Sequence, residues 1–100
     1  MISQDKENTI QRLLQLLQHL YSETGGLVES ESDLQLWYNR GYANGMIQAF
    51  AELGYAQQVL DTLESDAVDR IAGQEFLPWG KAYRHGFEMG EKETKEVLDS

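Results

Sequence analysis

Two histidines and a set of spaced carboxylates are the residues in this chain whose types could do chemistry. His19 stands among glutamines, and His85 follows Arg84. Neither has the second histidine four residues on that a helical zinc site uses. His85 and Glu88 stand at i and i+3, a spacing that serves carboxylate-bridged metal centres. Such centres repeat a Glu-x-x-His unit, and this chain supplies no second one. The acidic pairs are Glu88/Glu91, Glu93/Glu96 and Asp66/Asp69.

Those pairs invite comparison with the helical nucleotide pyrophosphohydrolases, which hold magnesium through paired carboxylates on two core helices. Here Glu93 and Glu96 follow Glu88 and Glu91 on one segment, next to lysines, and the pattern reads as a solvated face. There is no nucleophile elbow, phosphate-cradling glycine loop or basic stripe with interleaved aromatics. The expectation is a protein with no catalytic residues, no metal and no cofactor.

The elements that carry these residues are organised around a repeat. Tyr38-Asn39-Arg40-Gly41-Tyr42-Ala43-Asn44-Gly45 returns 45 positions later as Tyr83-Arg84-His85-Gly86-Phe87-Glu88-Met89-Gly90. Glycine in a helix is about 1 kcal/mol worse than alanine, so four of them forgo about 4 kcal/mol. Close approach is the physical compensation: a spacing of four puts both glycines on one helix face, leaving a groove for another helix or a ring. The same spacing serves membrane helix dimers, but Asn39, Arg40 and Asn44 beside it would be costly in lipid.

Apolar periodicity predicts an all-α domain of four helices, over about 3–23, 33–53, 55–72 and 78–98. The first has the stripe Ile10, Leu13, Leu14, Leu17, Leu20 and Tyr21, with Leu16 off it, and Gly25-Gly26 is its expected stop. Ser32, with Gln35 three residues on, is the expected cap of the second. That helix has the stripe Leu34, Trp37, Tyr38, Gly41, Tyr42, Gly45, Met46, Ala49, Phe50 and Leu53, and Gly54 ends it. The third carries Ala56, Val59, Leu60, Leu63, Ala67, Val68 and Ile71; Ser65-Asp66 could restart it, and Gly73 is its stop. Pro78 suits the first position of the fourth, where a missing N–H costs nothing. Its stripe is Trp79, Ala82, Tyr83, Gly86, Phe87, Gly90, Val97 and Leu98, with Lys81, Arg84, Glu88, Lys92, Glu93 and Lys95 outward, and Glu88–Lys92 and Glu91–Lys95 as ion pairs. Shifted by 46, Leu13, Leu14 and Leu17 fall on Val59, Leu60 and Leu63, so the chain reads as two duplicated helical hairpins with helices two and four crossing at Gly41/Gly45 and Gly86/Gly90.

The 100 residues suffice for one domain, and the absence of cysteine excludes disulfides and thiolate metal sites. No apolar run approaches a membrane span and the start has no signal-peptide pattern, so a cytoplasmic protein is expected. Net charge is −9, and residues 25–54 carry −3 and 55–77 carry −4 of it. Such a surface repels phosphate backbones and anionic membranes and favours a protein partner with a basic surface.

Two candidate partner surfaces follow. One is aromatic: Trp37, Tyr38, Tyr42, Trp79, Tyr83 and Phe87 cluster at the glycines, either as rings packed over them in the core or with an edge exposed beside Arg40 and Arg84. The other is acidic: Glu29, Glu31 and Asp33 in one group, and Asp61, Glu64, Asp66 and Asp69 in another. Small, acidic, helical and cysteine-free, the chain resembles the short inhibitors that phages and mobile elements encode against host defence, of the anti-CRISPR and anti-restriction type. That resemblance is one of class, carries no residue over, and implies a non-catalytic inhibitor of a nucleic-acid-binding protein. The alternatives are a helical protein that binds a nucleotide-type ligand and a homo-oligomeric adaptor, to which the glycine spacing is similar; a homodimer would place the glycine seam between chains.

Overall fold

The computed structural model describes residues 4–25, 33–62 and 77–99. They form four helices and no strand: α1 (Gln4–Glu23), α2 (Leu34–Glu52), α3 (Ala56–Thr62) and α4 (Pro78–Asp99). The expected extension of the third helix to residue 72, the restart at Ser65-Asp66, Gly26 and Gly73 lie outside the described residues.

The ends of the helices are set by side chains more than the sequence pattern predicts. Asp33, not Ser32, caps α2, its carboxylate accepting the Leu36 N–H at 3.3 Å. Gln35 does not close a capping box; its amide donates to Asn39 at 2.8 Å. α1 ends just before Gly25, and at its last turn the Thr24 hydroxyl donates to the Leu20 carbonyl at 2.6 Å. Gly54 ends α2 as expected, and its φ of +92° is the backbone state glycine adopts without penalty.

All four helices meet in one core of Ile10, Leu14 and Leu17 from α1, Ala43, Met46 and Phe50 from α2, Val59 from α3 and Leu98 from α4. A smaller cluster at the start of α2 and α4 is built on Trp37 and Tyr83. α2 is enclosed between neighbours, so Arg40, Ala43 and Asn44 are buried although they lie off its predicted stripe. Leu34 and Val97, expected inside, are each 46% exposed. Leu16 is exposed, as its position off the stripe implies.

Helices α2 and α4 cross as closely as backbones allow. A Cβ on Gly41 would strike the Tyr83 carbonyl, one on Gly86 the Tyr38 carbonyl, one on Gly45 the Phe87 carbonyl and one on Gly90 the Tyr42 carbonyl. Partners advance together along both helices, so α2 and α4 run parallel. Each contact pairs one motif's glycine with the carbonyl three residues ahead of the matching glycine in the other. That reciprocity is a local pseudo-twofold, and it uses backbone where ring packing over the glycines was one expectation. Each glycine Cα–H standing where a Cβ would be points at a carbonyl oxygen. Four such contacts at about 0.5–1 kcal/mol each return much of the propensity that the glycines forgo.

One pair departs from the register expected for the other helices. At the expected shift of 46, Leu14 would match Leu60, yet Leu14 is 4% and Leu60 67% exposed. At 45, the spacing of the glycines, Leu14 matches Val59, and both are buried.

Candidate functional site

The polar groups with chemical potential gather along the α2/α4 seam and where α1 meets it. Tyr21 of α1 donates its hydroxyl to Asn44 Oδ1 of α2, and Asn44 Nδ2 approaches the Tyr83 hydroxyl of α4 at 2.6 Å. One amide thus ties three helices. It sits at the point where α2 faces both neighbours, and a shorter or apolar residue would lose both hydrogen bonds. Arg40, one turn earlier and 8% exposed, lays its guanidinium over the Tyr21 ring at 3.9 Å from the centroid. A ring face stabilises a cation most where water is excluded.

The six aromatics do not form one partner surface. Trp37 and Tyr83 are 5% and 3% exposed and belong to the interior. Trp37 stacks on Trp79 at 4.3 Å, and its indole N–H has no acceptor among the described residues. Tyr38, Tyr42, Trp79 and Phe87 are half-buried. Tyr38 meets His85 edge-on at 5.5 Å, which places His85 on the surface of the seam. Tyr42 donates to Glu93 Oε1 at 2.6 Å, and burial first, then that hydrogen bond, pushes its phenol above the ordinary tyrosine range. His19 lies exposed on α1 with Glu23 Oε1 at 2.9 Å from its Nε2.

The carboxylate pairs of α4 point in different directions. Glu88 lies 3.7 Å from Arg84, not with Lys92 as the spacing suggested. Glu93 turns inward to Tyr42, and Lys95 turns to Glu52 at the end of α2 while also lying 3.7 Å from Glu91, the one expected ion pair that forms. Glu93 and Lys95 are therefore half-buried rather than outward. Among the described residues no three His, Cys, Asp or Glu side chains converge on a point where a metal could bind.

Of the predicted acidic residues, Asp33 and Asp61 are exposed; Asp33 caps α2 and Asp61 accepts from Gln57 at 2.9 Å. Glu29, Glu31, Glu64, Asp66 and Asp69 lie outside the described residues. No described helix is long and apolar enough to cross a membrane. Sequence reasoning missed the Tyr21–Asn44–Tyr83 link. Its one signal was an asparagine a single residue before Gly45, on the flank of the tightest crossing. No protein-family model matches the chain, and neither a curated protein nor a solved structure matches it.

Proposed function

We propose that this protein is a non-catalytic inhibitor that binds a nucleic-acid-binding protein of host defence by presenting carboxylates to its basic surface. One observation carries the reading. Residues 13–80 hold ten carboxylates and two arginines, and one of those arginines, Arg40, is buried over Tyr21. That stretch carries −8 of the chain's net charge of −9. An excess of carboxylates of this size sets up a negative field that steers association with a cationic groove. The buried amide, phenols and seam glycines hold helices together, and the surface charge, with the half-buried Tyr38, Trp79 and Phe87 beside it, is what a partner would meet.

The test is capture of the partner from the native cell on immobilised protein, followed by elution with double-stranded DNA, with RNA or with rising salt. A retained nucleic-acid-binding protein that either polyanion displaces, and that salt releases steeply, supports the reading. Amide replacement of Asp61, Glu64, Asp66 and Asp69 should slow its association and flatten the salt dependence. A partner that neither polyanion displaces and that the amide variant binds at an unchanged rate overturns it.

A further inference from the structure

The C-terminal ends of α2 and α4 are joined by a cluster that is one positive charge short. Glu52 is the last residue of α2, a helix with no basic residue in its final turn, so its carboxylate stands at the negative end of the helix dipole. Lys95 reaches across from α4 to supply the cation. Gln48, one turn back on α2, donates to Glu52 Oε1 at 2.9 Å. Glu91 lies 3.7 Å from the same Lys95 Nζ, with its side chain 29% exposed. The charged groups that face Glu91 are thus Glu52 from α2 and Lys95 from its own helix.

With both carboxylates ionised, two negative charges share one half-exposed ammonium, and they repel across the helix pair. A proton on Glu91 changes the geometry from repulsion to donation: Glu52 then accepts from Gln48, Lys95 and the Glu91 carboxyl together. We propose that Glu52, Lys95 and Glu91 form an acid-tightened clamp, in which uptake of a proton by Glu91 strengthens the tie between the end of α2 and α4. Burial, and then the Glu52 contact, raises the Glu91 carboxyl above its ordinary 4.5, while the Gln48 and Lys95 donors hold Glu52 down at about 2. The signs follow from those directions. Stability from Glu91 is complete below 4.5 and is lost as pH rises through its raised folded value. Stability from Glu52 is complete above its ordinary 4.5 and is lost only as pH falls through about 2. Both are present together in a narrow window around and just above 4.5, so the clamp is tightest in mild acid and loosens toward neutrality.

Thermal melts of the full chain, from mild acid to slightly alkaline pH, compare the native sequence with Glu91→Gln. The amide mimics the protonated carboxyl, so the variant should melt higher than the native chain at neutral pH and fall less as pH rises, with the two converging in mild acid. In parallel, the carbon-13 shift of the Glu91 carboxyl in the native chain should titrate above 4.5. Melting curves that stay parallel across the pH range, or a Glu91 midpoint at or below the ordinary value, overturn the clamp. If the variant fails to fold, the midpoint in the native chain decides.

Discussion

Replacing Gly45 by alanine adds a single methyl group at the α2/α4 crossing, and the structure sets what that methyl meets. Its position lies under 3.0 Å from the Phe87 carbonyl and from the Glu91 nitrogen, and both are backbone atoms of a helix that cannot rotate away. Ordinary contact needs 3.4–4 Å, so α2 and α4 must part along their length. Parting them also breaks the glycine–carbonyl approaches at Gly41, Gly86 and Gly90. The gain is about 1 kcal/mol of helix propensity. The loss is about 1–3 kcal/mol from overpacking and about 0.5–1 kcal/mol for each weak Cα–H contact broken. The net is destabilisation by about 2 kcal/mol or more, which lowers the melting temperature of a chain this size by about 8 °C or more. Gly25→Ala is the control, because the nearest atom to its new methyl is Ser22 O at 3.6 Å, an ordinary contact. Circular-dichroism melts of both variants give the answer. A Gly45→Ala variant that melts with or above the native chain would show that the helices are not held at backbone contact.

Two further perturbations probe the polar groups. Asn44→Leu removes both hydrogen bonds by which one amide joins Tyr21 and Tyr83, at about 0.5–1.5 kcal/mol for each bond lost; denaturant melts should show a loss larger than that of Gln48→Leu, whose amide serves the half-exposed Glu52. Tyr42 has its phenol raised above 10.0 by burial and by Glu93, so its stabilising contribution is complete below that value and lost as pH rises beyond it. In an alkaline titration followed by phenolate absorbance, the native chain should show a late step that Tyr42→Phe lacks, and a variant that loses an ordinary early-titrating tyrosine instead would refute the assignment.

The features legible in the chain alone are local or periodic. A glycine inside a helix is explicable by close approach, so two glycines four apart, twice over, are enough to imply a tight crossing of α2 and α4. The stripes of α1 and α4 and the stop at Gly54 are legible for the same reason: each depends on the spacing of residues along one element. What lies opposite each face is settled by the packing of the helices. α2 is enclosed on more than one side, so Arg40 and Asn44, polar residues beside its stripe, are buried, and Leu34 at its start is not. The expected match of Leu14 with Leu60 fails because burial, which depends on the neighbouring helix, separates the two where apolar character does not. Glu93 and Lys95 turn inward because Tyr42 and Glu52 of α2 stand opposite them. A charge on an amphipathic face has no partner until a second helix arrives, and the identity of that partner is a property of the crossing rather than of either sequence segment.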